Sequence, residues 1–300
     1  MNMNCRLPVA GCRLPESKGW GRFLSIANRQ SPIANGFTLV ELLTVLAIIA
    51  IIAALAVPAF KNFGHSDAMT AADQQMLNDV ARARQLAMSQ RTTVYMVFVP
   101  ANFWANLQPD SVKNSTATTN LCDDQLTGYI FMSHGQVSDQ PGQHQWHYLA
   151  PWQTLPGGTF IPLWKFPAVP PVTPAQPFTF KDPIDPAKAF SVYPFDSANN
   201  FPFPAETNYP PDGSTLFLPY IAFDYLGQLT DDGVDKANAH EYIPLARGSV
   251  LPAIDPNTKA LVFGSPQVTE DPPGNSTNAY NVIDLDPLTG RATLEEPKMQ

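Results

Sequence analysis

Gly36-Phe37-Thr38-Leu39-Val40-Glu41-Leu42-Leu43 opens an apolar run that ends at Phe60, and its reading decides the rest of the chain. From Leu42 to Phe60 there are nineteen residues without a formal charge, almost all of them Ala, Ile, Leu and Val. At about 1.5 Å per residue, a helix of that length covers roughly the 30 Å hydrocarbon layer of a bilayer. Glu41 stands at its start, where an unpaired carboxylate in lipid is costly, and a plain membrane anchor has no evident use for it. The charge before the run is one-sided: Arg6, Arg13, Lys18, Arg22 and Arg29 against Glu16 alone. By the positive-inside rule the N-terminus stays cytoplasmic and everything after Phe60 is exported. A cleavable secretory signal fits less well, because its apolar core is usually about 7–15 residues long.

Glycine, then Phe-Thr-Leu-Val-Glu, then a long apolar helix resembles the cleavage and methylation site of type IV prepilins and type II secretion pseudopilins. That resemblance implies a leader over 1–36, cleavage by prepilin peptidase between Gly36 and Phe37, and N-methylation of Phe37. It also implies that Glu41 serves assembly by meeting the free amine of Phe37 on a neighbouring subunit. Pro58 falls about twenty residues into the run and is expected to kink the helix.

Beyond Gly64, Met69, Ala72, Met76, Val80, Ala83 and Ala87 recur at three- and four-residue steps, with Leu77 and Leu86 widening the stripe. This is one apolar face of an amphipathic helix that lies on its own domain. Asp73, Gln74, Asn78, Asp79, Arg82, Arg84 and Gln85 are expected mostly off that face. Val94-Tyr95-Met96-Val97-Phe98-Val99 is apolar on both alternating faces, which predicts a central strand with the helix over one side. Ala81-Arg82-Ala83-Arg84-Gln85-Leu86-Ala87 followed by this strand is similar to the minor pseudopilins called general secretion pathway protein H.

Further strands are read at Gly128–Met132, at Leu216–Leu218 continuing through Tyr220–Tyr225, and at Lys259–Phe263. Asn281–Leu285 and Arg291–Glu295 form a hairpin around Asp286-Pro287-Leu288-Thr289-Gly290, a type I turn closed by a left-handed glycine. Sixteen of the 31 prolines lie between Pro151 and Pro219. Proline fixes φ and removes a donor, so a Pro-rich insertion over about 140–215 is expected as loop and edge strand on the domain surface. The fold class is thus α+β: a long N-terminal helix, its first half transmembrane (37–60) and its second amphipathic (61–90), packed on an antiparallel β domain (91–300).

The formal charge is −8, and since the leader carries +4, residues 37–300 total −12. An acidic exported domain without a basic stripe argues against nucleic acid as a partner. Cys5 and Cys12 are lost if the leader is cut, which would leave Cys122 alone and unable to close an internal disulfide in the mature chain. Acids beside it, Asp123 and Asp124, are expected to raise its pKa and dull it. No glycine-flanked serine elbow is present, so no enzyme is expected. His144-Gln145-Trp146-His147, with His134 and His240, shows no zinc-ligand spacing. Asp231, Asp232 and Asp235 around Gly233 offer oxygen ligands suited to calcium, but without EF-hand spacing a solvated acidic turn is expected.

The implied job is that of a minor subunit of a type II secretion pseudopilus or type IV pilus. Its partners would be other pilin subunits, prepilin peptidase, an inner-membrane assembly platform and membrane lipid. A tip adhesin or substrate-contacting minor pilin, and a membrane-anchored binding protein that does not assemble, stand as alternatives.

Overall fold

The computed structural model describes residues 38–106, 116–137, 139–140, 145–167, 176–180, 190–202, 215–278 and 281–295, with the backbone alone over 55–67 and at 117, 190 and 215. The leader, Gly36 and Phe37 lie outside the described residues, as does His144. The chain divides into two units, Met1–Ala54 and Leu55–Gln300. One helix, α1 (Leu39–Gln90), contributes to both and is assigned continuously through Pro58 and Gly64.

In the first unit, every side chain from Leu39 to Ala54 is exposed, Leu39 by 78% and Ile51 by 63%. Among the described residues no helix is long and apolar enough to cross a membrane. The side chains described in the apolar run stop at Ala54, six residues short of Phe60. The expected span over 37–60 is therefore not shown here.

In the second unit the apolar stripe of α1 behaves as its spacing requires. Met69, Ala72, Met76, Val80, Ala83 and Ala87 are all buried, and Leu77 and Leu86 pack partly against the same cluster. Asp73 departs from expectation: it is also buried, and Asn281 Nδ2 donates to its Oδ2 at 2.5 Å. Burial without such a donor would cost the carboxylate its hydration uncompensated.

The stripe meets an antiparallel sheet whose middle strand is β1 (Val94–Phe98), as the two apolar faces predicted. β2 (Gly128–His134) and β10 (Tyr220–Phe223) flank it, β11 (Leu229–Thr230) pairs β10, and β3 (Trp146–Tyr148) and β4 (Gln153–Thr154) pair β2. Val94, Met96 and Phe98 share the helix-side core with Phe131, Ile221 and Phe223. Tyr95, Val97 and Val99 face a second core closed by Phe103, Leu121, Cys122, Phe201, Leu216 and Leu218.

A second antiparallel sheet is built on β12 (Glu241–Leu251), the longest strand, with β13 (Gln267–Glu270), β14 (Asn281–Leu285), β15 (Ala292–Glu295) and β5 (Thr159–Phe160). Its Ile243 and Leu245 join Ile283 and Leu285 in the helix-side core. β12 was not read from the sequence, because Pro244 and Gly248 interrupt it. Proline is tolerated where one edge of a strand has no neighbour. Among the described residues, positions 241–245 pair only with β14, and pairing with β5 begins at Ala246 and with β13 at Gly248, so Pro244 meets that condition there.

Two further expectations need correcting. Lys259–Phe263 is not a strand: an isolated bridge joins Ile254 to Leu261, and Val262 is exposed. Asp255 turns the chain there, accepting from Asn257 N at 2.7 Å, and Thr258, Lys259 and Ala260 are exposed. The Pro-rich region is also more than a surface addition. It supplies β3 to β5, a hairpin of β6 (Phe178–Phe180) with β7 (Phe190–Val192), and β8 (Asn200–Pro202) paired with β9 (Thr215–Phe217). Leu155, Phe160, Ile161, Phe166, Phe195 and Phe201 from this region are buried, because its aromatics cap both cores.

The C-terminal hairpin follows its turn chemistry. Asp286 Oδ1 accepts from Leu288 N at 2.9 Å and Thr289 N at 2.8 Å, and Gly290 closes the turn at φ +61°. A Cβ on Gly290 would stand 2.0 Å from Gly227 O. Arg84 of α1 ties the same two turns together, its Nε donating to Gly227 O at 3.2 Å and Thr289 O at 2.7 Å.

Candidate functional site

The start of α1 is held by a reciprocal cap that the sequence carries as Thr-x-x-Glu. Thr38 Oγ1 accepts from Glu41 N at 3.2 Å, while Glu41 Oε2 accepts from Thr38 N at 3.1 Å and from Thr38 Oγ1 at 3.0 Å. This is a capping box, in which two otherwise orphaned backbone donors at a helix start are satisfied by side chains. The acid at the head of the run therefore has a local use, one that even a plain membrane anchor could make of it. The signature is legible in Thr38-Leu39-Val40-Glu41, but setting the acid against lipid and against the amine of a neighbouring subunit leaves out this partner at its own helix start. Only Thr38 is bonded to the Glu41 carboxylate among the described residues, and the apolar side chains that follow are uncovered.

The acidic turn at 231–235 is a backbone-satisfied loop. Asp232 Oδ1 accepts from Asp235 N at 2.7 Å and Val234 N at 2.8 Å, and these donors hold its carboxyl below the usual carboxylate range. Gly233 stands at φ +90° directly over Tyr95, whose hydroxyl oxygen would lie 1.9 Å from any Cβ placed there. Among the described residues no three His, Cys, Asp or Glu side chains gather as a metal site. The calcium candidate Asp231, Asp232 and Asp235 thus has no assembled ligand set. The described histidines are dispersed: His147 Nε2 lies 2.8 Å from Asp139 Oδ2, His240 Nδ1 lies 2.7 Å from Asp284 Oδ1, and His134 stacks near Trp146. Cys122 is buried with its Sγ 3.8 Å from Thr118 O, and burial, not its acidic neighbours, pushes its thiol up to about 11.

What the sequence did not disclose is a cavity of about 1020 Å³ in the second unit. Trp164, Phe166, Tyr193, Phe195, Tyr220 and Tyr242 supply much of its wall, and Asp196, Asp231 and Glu241 bring carboxylates to it. Its residues lie just after β1, on β10 to β12 and in or next to the Pro-rich region, far apart in the chain, so no local pattern announces it.

Comparison with known families places residues 33–57 in a match to the prokaryotic N-terminal methylation motif. That stretch includes the glycine, the phenylalanine, the capping box and the first five turns of α1. The match supports a type IV pilin-like protein, with processing by prepilin peptidase and assembly with other pilin subunits. Comparison with curated proteins and with solved structures gave no match.

Proposed function

We propose that the chain is a structural, non-catalytic minor subunit of a type II secretion pseudopilus or a type IV pilus. In this reading the leader is removed between Gly36 and Phe37, Phe37 is N-methylated, and the first half of α1 anchors the subunit in the inner membrane. The N-terminus is cytoplasmic and the β domain lies outside the membrane. An assembly platform then draws the subunit out of the bilayer into a bundle of like helices. The observation that carries it is the methylation motif at 33–57, set on a helix whose Leu39–Ala54 side chains are all exposed. Uncovered apolar length of that kind asks for lipid first and for neighbouring helices afterwards.

Mass spectrometry of the mature N-terminus tests it, with a chain beginning at N-methylated Phe37 as the expected result. Gly36→Val should leave the leader attached, since a side chain there obstructs the scissile bond. An intact, unmodified Met1 terminus in a host with active peptidase would overturn the reading.

A second reading, a substrate-contacting subunit at the filament tip, is favoured by the aromatic cavity that the Pro-rich region helps to wall. Protease access to residues 151–219 on intact cells separates the two.

A further inference from the structure

The cavity combines aromatic walls with an uneven charge. Tyr193 and Phe217 stand at its mouth, more than half exposed, while Phe166, Phe195 and Tyr220 are buried behind them. Of its three carboxylates, Glu241 is paired with the fully buried Lys165, which also donates to Tyr193 O at 2.7 Å and lies 4.3 Å from the centre of the Phe195 ring. Asp196 Oδ1 accepts from Ser197 N at 2.6 Å and Ala198 N at 3.0 Å, which orients it. Asp231 sits beside Asp196, Asp232 and Asp235, and burial together with these like charges raises its pKa. No Lys or Arg lines the cavity among the described residues, and His240 is engaged by Asp284. Of these three acids only Glu241 has a basic partner, Lys165, within ion-pair distance, so two acidic side chains stand in a largely aromatic space with no Lys or Arg in its wall among the described residues.

A separate observation points to a ligand. Thr230 lines the same cavity and is only 6% exposed, yet its Oγ1 is buried with no hydrogen-bond partner among the described residues. An orphaned hydroxyl costs its full desolvation, and such groups are rare unless something else completes them. The missing partner must be small enough to enter. It must also suit a site where anions are repelled and aromatic faces attract positive charge.

We propose that this cavity binds a primary ammonium ion carried on an apolar, aromatic-sized body. Its N–H groups would be shared by the Asp196 and Asp231 carboxylates and by Thr230 Oγ1, and its body would lie against the aromatic wall. The inference stands on the second unit alone and does not depend on whether the subunit joins a filament.

The test uses the full chain in phosphatidylcholine nanodiscs, titrated calorimetrically with 2-phenylethylammonium, 2-phenylethanol and 3-phenylpropanoate, with empty nanodiscs subtracted. The cation should saturate at one site per chain and bind at least tenfold more tightly than the alcohol or the carboxylate. Asp196→Asn with Asp231→Asn should weaken it at least tenfold, since Asn at 196 keeps an acceptor for the Ser197 and Ala198 amides. Thr230→Val should weaken binding several-fold while the unfolding midpoint holds or rises, because a methyl replaces an unsatisfied hydroxyl. Equal binding of the alcohol, no saturation by the cation, or unchanged affinity in either folded variant would each overturn the proposal.

Discussion

Replacing Glu41 by Gln and by Ala separates two roles that the wild-type residue combines. The carboxylate accepts from Thr38 N and Thr38 Oγ1 at the start of α1. A Gln side chain keeps an acceptor oxygen and is as good as Glu in a capping box, whereas Ala keeps nothing. Loss of such a cap is typically worth about 1 kcal/mol of helix stability. If Glu41 were only a cap, Ala would fray the helix start by about that amount and Gln would behave as wild type. If its charge meets the methylated amine of a neighbouring subunit in a low-dielectric bundle, removing it strands the amine, at a cost of about 3–5 kcal/mol. At 1.4 kcal/mol per tenfold, that is a loss of roughly 10²-fold to 4 × 10³-fold in incorporation for both variants. The assay is immunoblotting of sheared filaments against membrane-retained subunit, with leader cleavage followed in parallel. Both variants should be cleaved normally and be lost from filaments. Glu41→Gln incorporating like wild type while Glu41→Ala is impaired would refute the charge-pairing argument and leave the cap as the whole role.

Three further outcomes follow from the β domain. Gly290→Ala should cost more than about 1–3 kcal/mol, because the left-handed φ is strained for alanine and its Cβ would collide with Gly227 O; an unchanged thermal midpoint would contradict this. Burial, reinforced by Asp123, raises Asp124 to about 6, so folding favours its protonated form and the stability it contributes at low pH is lost as pH rises through about 6. Asp124→Asn should therefore stabilise at pH 7–8 by about 1–2 kcal/mol after allowing for partial solvent screening, and by little below pH 4; a pH-independent difference in denaturant midpoint would dismiss the cause. Chelator should leave thermal unfolding unchanged, because Asp232 Oδ1 is committed to backbone amides; a falling midpoint would restore calcium to the 231–235 turn.

The local sequence carried a great deal. The spacing of Met69, Met76, Val80 and Ala87 named the buried face of α1, since a helix with one apolar stripe has a single way to hide it. Two apolar faces on Val94–Phe98 required a strand covered on both sides, and Asp286 to Gly290 dictated their turn. The Thr38–Glu41 cap was equally legible, because capping is a contact between near neighbours in the chain. Other features were not legible, because they depend on partners far away in sequence. Pro244 hides β12 from any propensity reading, and only the placement of β14, β5 and β13 leaves it an open edge. Asp73 is a core residue to which Asn281, 208 positions away, brings a donor. The Pro-rich region reads locally as loop, yet its aromatics close both cores and wall the cavity, since burial there is decided by the two sheets brought together around it.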